Sequence, residues 1–137
     1  GQMVLDGRTK STISVSVKAG SVFTNSKKRD KHLRSPDFFN AKQFPNITFK
    51  STKVWKLLLG RYRAKGNLTF RGVTKLVTVY FKISKESKDP WGNTRIGAVA
   101  NLKLSRKAYG MKYMPKGLGD TVKLIISLEL IKAKAKK

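Results

Sequence analysis

The stretch Arg29-Asp30-Lys31-His32-Leu33-Arg34-Ser35-Pro36-Asp37-Phe38-Phe39, running on into Phe44-Pro45-Asn46-Ile47-Thr48-Phe49-Lys50-Ser51, decides the fold. Its two halves obey different periodicities. The first is a compact charged turn or short helix ending in an aromatic pair. The second alternates apolar and polar residues with the period of two that marks a half-buried strand. A capped turn therefore feeds directly into a sheet.

Working outward, the same period of two recurs. Residues 4–5 and 11–18 read as strands before the turn, and in the latter Ile13, Val15 and Val17 share one face while Thr12, Ser14 and Ser16 take the other. The turn and short helix occupy residues 19–40. Strands follow at 46–57, 61–70, 74–83, 94–104 and 121–131. Val77, Val79, Phe81 and Ile83 oppose Thr78, Tyr80 and Lys82; Ile96, Ala98, Ala100, Leu102 and Leu104 oppose Gly97, Asn101 and Lys103; Val122, Leu124, Ile126, Leu128 and Leu130 oppose Lys123, Ser127 and Glu129. One face is apolar and the other wet throughout, with segments spaced as in an antiparallel barrel or sandwich. The fold class is all-β.

Turn chemistry punctuates the strands. Gly66-Asn67-Leu68-Thr69-Phe70-Arg71-Gly72-Val73-Thr74-Lys75 has two strand-like stretches meeting at an Arg-Gly pair, and Asp89-Pro90-Trp91-Gly92-Asn93 is a second turn. Taken in order with Ser105-Arg106-Lys107-Ala108-Tyr109-Gly110 and Gly119-Asp120-Thr121-Val122-Lys123, these phrases resemble the YceI family of bacterial secreted, lipocalin-like proteins. The similarity runs from about Asp6 to Ile131. It implies an antiparallel lipocalin-like barrel with a short helix between strands, enclosing a long amphiphile such as a polyisoprenoid, an isoprenoid quinone or a fatty-acid derivative. It also implies a periplasmic or secreted setting and a homodimer.

The chain departs from the family pattern at its start, because members begin with two further strands carrying an Asp-x-x-His-Ser phrase. The expectation is a barrel that is partly open, is completed by a partner, or is preceded by residues outside this sequence; open edges attract other chains. Residues 1–131 read as one barrel domain and 132–137, Lys132-Ala133-Lys134-Ala135-Lys136-Lys137, as a basic solvated tail.

Composition limits the chemistry. At 137 residues and 39% hydrophobic content, the chain supports one core or one lined cavity. It has no cysteine, so neither a disulfide framework nor a thiolate metal site is available. No stretch approaches the roughly 20 apolar residues of a membrane-spanning helix, so a soluble domain is expected, and residues 1–7 do not form a targeting signal. Thirty-one Lys and Arg against seven acids give a formal charge of +24, which draws polyanions by Coulomb attraction and counterion release.

The inward set Ile47, Phe49, Phe70, Val77, Val79, Phe81, Ala98, Ala100, Leu102, Val122, Leu124, Ile126 and Leu128 reads either as packed core or as the wall of a tunnel. The family resemblance implies the tunnel, and small Ala98 and Ala100 beside Gly97 leave room for a guest. Phe38 and Phe39 close one end of the cavity or anchor the turn to the barrel; the two roles are compatible. His32 is the only histidine, and no serine sits in a nucleophile elbow, so neither a metal centre nor an enzyme is expected. Arg29 and Asp30 should pair with each other or with backbone to fix the turn, and Arg29 or His32 remains open to a head-group contact. Trp91 is expected to cap a barrel end, with a membrane-interface role as the alternative. Arg106 and Tyr109 should place the following loop, in which Met111 and Met114 are read as a flexible portal.

The leading functional reading is therefore non-enzymatic binding, transport or storage of a long-chain amphiphile, with no cofactor beyond a bound lipid or isoprenoid. The alternative is a polyanion-binding β-domain, acting on nucleic acid or an anionic lipid surface and driven by the charge. It lacks the interleaved exposed aromatics of a base-stacking platform, so specific nucleic-acid binding is not expected, whereas an anionic membrane surface is compatible with both readings.

Overall fold

The computed structural model describes residues 2–4, 12–114 and 116–131; the expected strand residues Leu5 and Ser11, Pro115 of the expected portal and the basic tail lie outside them. In chain order the elements are β1 (Gln2–Val4), β2 (Thr12–Lys18), a 3-10 turn at Ala19–Ser21, α1 (Lys27–Leu33), β3 (Asn46–Lys56), β4 (Arg61–Phe70) and β5 (Val73–Ile83). They continue with β6 (Ser87–Lys88), β7 (Thr94–Ser105), a 3-10 turn at Lys107–Tyr109 and β8 (Thr121–Ile131). Short β6 is an addition to the strands read from sequence.

All strand pairings are antiparallel, in the order β1-β2-β3-β4-β5-β7-β6, with β8 also paired to β7. From β1 to β5, and again from β6 to β8, each strand pairs with the next in sequence, as hairpin and short-loop connections favour, while β5 passes over β6 to pair with β7. The all-β antiparallel expectation holds. Among the described residues β1 pairs only with β2 and β8 only with β7, so the sheet curls into an open half-barrel instead of closing.

Two local devices set which residues face inward. At the β4–β5 turn Arg71 (φ 54°) and Gly72 (φ 74°) both adopt left-handed backbone, the type I′ geometry whose twist matches a tight hairpin. The register is then unbroken from Phe70–Val73 to Arg61–Lys82. In β3 the pairing steps from Ser51 opposite Gly66 to Lys53 opposite Lys65, leaving Thr52 as the extra residue of a bulge. The bulge shifts the inward face from Ile47 and Phe49 to Val54, which is buried. Gly66 permits the close approach there: a Cβ on it would lie 2.4 Å from the Lys50 carbonyl oxygen and 2.7 Å from Ser51 Cα.

The interior divides into two apolar clusters. One lies beneath the aromatic turn and contains Phe38, Phe39, Ile47, Leu68, Phe70, Leu104, Tyr109 and Met111. The other, Ile13, Val54, Tyr62, Ala64 and Phe81, lies toward the opposite end, with Tyr62 and Phe81 stacked at 5.0 Å. No helix among the described residues is long and apolar enough to cross a membrane.

Candidate functional site

Between the clusters the concave face of the sheet forms an apolar trough. Ile13 and Val15 of β2, Phe49 of β3, Ala64 and Leu68 of β4, Val79 and Phe81 of β5, Ala98, Ala100 and Leu102 of β7, and Ile126 and Leu128 of β8 line it. No polar side chain belongs to this wall. Alternation puts it there, because every second residue of each strand points inward. Three of its members are alanines, Ala64, Ala98 and Ala100, and these make the wall shallowest where β4 and β7 contribute. The enclosed volume is about 50 Å³, far below the several hundred of a drug-sized pocket, and Ile13, Ala64, Leu68, Val79, Phe81, Ala98 and Leu102 are buried, so the trough is narrow and largely filled by its own side chains. The expected tunnel is corrected to that extent: the space is a narrow groove in a sheet that has no β1–β8 pairing among the described residues.

The aromatic turn closes one end. Ser26 caps α1 by accepting from the Arg29 backbone N–H at 3.3 Å, and buried Asp30 accepts from the backbone N–H of Thr24 at 2.9 Å and from its hydroxyl. Arg29 Nε donates to Thr24 Oγ1 at 2.7 Å. Ser35 to Phe38 make a turn closed by the Phe38 N–H on the Ser35 carbonyl at 3.0 Å. The chain is thereby aimed so that Phe39 meets Phe70 edge-on at 5.1 Å, and Phe70 meets Tyr109 at 5.5 Å.

Two arginines fasten this end. Arg71 donates Nε to the Phe38 carbonyl at 2.7 Å, Nη2 to Pro36 at 2.7 Å and Nη1 to Gly110 at 2.8 Å, joining the β4–β5 hairpin to both loops at this end of the trough. Arg106 is 4% exposed and donates to the carbonyls of Tyr113, Gly119, Leu118 and Met114. Asp120 accepts from the Ser105 hydroxyl and, at 2.9 Å, from the Lys107 N–H, and these bonds, the Ser105 hydroxyl foremost, hold its carboxyl below the usual carboxylate range. The Tyr109 hydroxyl is the one fully buried side-chain polar atom without a hydrogen-bond partner among the described residues, and burial raises its pKa.

The family model described as a YceI-like domain matches residues 1–130. The chain belongs to this family. Its relatives include a UPF0312 protein of Yersinia enterocolitica, 42% identical over 122 residues that cover 89% of this chain and 63% of the relative, and a UPF0312 protein of Serratia proteamaculans, 41% identical over 126 residues covering 92% and 65%. The chain thus spans slightly under two thirds of the length of these curated relatives. Among solved structures, a YceI protein of Campylobacter jejuni superposes with a TM-score of 0.74 at 29% identity, covering 97% of this chain and 80% of that one. Burkholderia cenocepacia BcnA matches with a TM-score of 0.75 at 20% identity, a likeness of fold.

Within the YceI-like trough, eight of the residues read from sequence as lining stand in the wall: Phe49, Val79, Phe81, Ala98, Ala100, Leu102, Ile126 and Leu128. Phe38, Phe39, Ile47, Phe70, Val77 and Leu124 stand outside the wall in the packed core beneath the aromatic turn, which Val79 and Leu102 of the wall share, and half-buried Val122 stands at the start of β8 outside the wall. Sequence reading left out Ile13, Val15, Ala64 and Leu68. Their alternation is visible in the chain, but Gly66, which has no side chain, interrupts the apolar face of β4 between Ala64 and Leu68.

Two expectations for the loops are corrected, those for Met111 and Trp91. Met111 is 2% exposed and packs in the core, because its N–H is held by the Arg106 carbonyl at 2.9 Å; it is no flexible gate. Met114 is exposed with φ 46°, in a loop whose carbonyls Arg106 holds. Trp91 caps nothing: its turn is folded around Asp89, which accepts from the N–H groups of Trp91 and Asn93, and the ring is left 78% exposed. Arg29 is committed to Thr24. His32 Nε2 lies 2.8 Å from Asp37 Oδ2, and the imidazole meets the Phe38 and Tyr113 rings edge-on, so neither residue stands in the trough wall.

Proposed function

We propose that the protein binds a long-chain amphiphile, a polyisoprenoid, isoprenoid quinone or fatty-acid derivative, without transforming it, by laying the tail along the apolar trough. The observation that carries this reading is the wall itself: six strands contribute twelve apolar side chains and no polar one. Such a surface offers a hydrocarbon burial without asking it for hydrogen bonds. Each 100 Å² of tail removed from water contributes about 2.5 kcal/mol, against which association costs several kcal/mol, so a long tail is needed before binding becomes tight. Chain length should matter more than head group. Membership of the YceI-like family and the barrel-like fold support a binding role; the class of ligand is the present proposal.

Organic extraction of the purified protein followed by mass spectrometry is the direct test. A co-purifying prenyl or fatty amphiphile in stoichiometric amount is expected. A protein that extracts clean and takes up neither added polyprenol nor fatty amide saturably contradicts the reading.

A further inference from the structure

The β3–β4 turn carries three leucines in succession, Leu57, Leu58 and Leu59, before Gly60. Leu58 and Leu59 are each 84% exposed and Leu57 is 40% exposed. Scattered exposed leucines are ordinary, but a contiguous apolar tip is not. Leu59 also holds φ 57°, a left-handed backbone conformation that a side chain with a Cβ seldom adopts. The turn is nonetheless well formed, with the Leu57 N–H donating to Arg61 at 2.8 Å and the Arg61 N–H to Leu58 at 3.2 Å. Asn or Gly would make the same turn without strain or exposed hydrocarbon, so the leucines serve something outside the fold.

The sides of the hairpin are basic. Lys53 and Lys56 precede the tip and Arg61 and Arg63 follow it. Trp55 stands between them, with the Arg63 guanidinium 4.3 Å and the Lys53 ammonium 4.9 Å from its ring centroid. Like charges face each other across the strands, Lys53 opposite Lys65 and Arg61 opposite Lys82, an arrangement that weakens a sheet unless an external anion balances it. The sequence between Asp37 and Glu86 contains no acid at all.

We propose that this hairpin tip docks on an anionic phospholipid bilayer. Leu57, Leu58 and Leu59 enter the boundary of the acyl chains, the flanking Lys and Arg side chains meet the phosphates, and Trp55 rests at head-group level. A nucleic acid would match the charge but has no place for three aliphatic side chains. The tip lies at the end of the sheet opposite α1 and the aromatic turn. Under the amphiphile reading, docking therefore sets the β3–β4 end of the trough against the bilayer, but the docking itself does not depend on that reading.

The test is flotation with vesicles of phosphatidylcholine, alone or with roughly a third phosphatidylglycerol, in a Trp91→Phe background that leaves Trp55 as the only tryptophan. Anionic vesicles should bind the protein, shift Trp55 emission to the blue and release it as salt rises. The pair Leu58→Asn and Leu59→Gly should weaken binding about tenfold or more, since it removes most of the inserted hydrocarbon. Glycine suits the backbone at position 59, so the variant should melt no lower than the parent. Amphiphile uptake from a water-soluble carrier should be unchanged in it, which separates failure of docking from failure of the trough. Absence of binding to anionic vesicles overturns the proposal. So does binding that the leucine changes leave intact; if that variant also prefers duplex DNA at equal phosphate, the surface is a general polyanion surface.

Discussion

Replacing Arg71 by Ala should loosen the closed end of the trough, and the structure gives the size of the effect. The guanidinium makes hydrogen bonds of 2.7, 2.7 and 2.8 Å to the carbonyls of Phe38, Pro36 and Gly110. Charge-assisted bonds are worth about 1.5–3 kcal/mol each when buried, but this side chain is partly exposed and water replaces part of the loss, so about 1 kcal/mol per bond is appropriate. The expected loss is about 3 kcal/mol, or roughly 10 °C in Tm for a domain of this size. Arg71→Gly should recover about 1 kcal/mol of that, because the position holds φ 54° and glycine removes the left-handed penalty. Arg71→Lys, with a single ammonium in place of the fork, should fall between Ala and the parent. Thermal melts followed by circular dichroism read all three. If Arg71→Ala melts within about 2 °C of the parent, the argument that one arginine fastens both capping loops is wrong.

Three further outcomes follow from the same geometry. Ala100→Phe places a ring opposite Phe81 and Ile126 in the trough, and should reduce amphiphile uptake about tenfold or more while costing at most about 1–3 kcal/mol of stability by overpacking, as fluorescence titration and melting will measure. Tyr109→Phe removes a buried hydroxyl that has no partner among the described residues and keeps the ring against Phe70, so stability should be unchanged or higher; a fall of more than about 1 kcal/mol in chemical denaturation contradicts this. Asp89 is held at a pKa of about 2, first by the Arg95 guanidinium and then by Asn93 and Trp91, against desolvation that acts the other way. Because its folded pKa lies below the ordinary aspartate value of 3.8, its contribution is complete above that value and is lost as pH falls through about 2; a carboxyl NMR titration midpoint near 3.8 would refute it.

The strands were legible because alternation is a backbone property: Val77, Val79 and Phe81 or Leu124, Ile126 and Leu128 cannot share a face unless the chain is extended. Alternation does not reveal where the count slips. The bulge at Thr52 exchanges the faces of the second half of β3, burying Val54 and turning Trp55 outward, and only its partner Gly66 hinted at a close approach. Loop residues were the least legible. Met111 and Trp91 look alike as large apolar residues in polar loops, yet one is buried beside the Arg106 carbonyl and the other is left outside a turn folded on Asp89. That difference depends on hydrogen bonds between residues distant in sequence. Arg71 gave one local signal that passed as ordinary hairpin chemistry: a long basic side chain stands where type I′ turns favour Asn, Asp or Gly. The half-open sheet depends on the absence of a β1–β8 pairing, which no single strand encodes.

If the trough holds a hydrocarbon tail by apolar burial, a chain-length series of amphiphiles should show it. Isothermal titration with a homologous set of amphiphiles sharing one head group should give affinity that rises about two- to fourfold with each added methylene, up to the length of the trough, since each buried CH₂ contributes at most about 0.8 kcal/mol. A negative heat-capacity change should accompany it. Affinity that is flat across the series, or that follows the head group while ignoring the tail, would contradict the account.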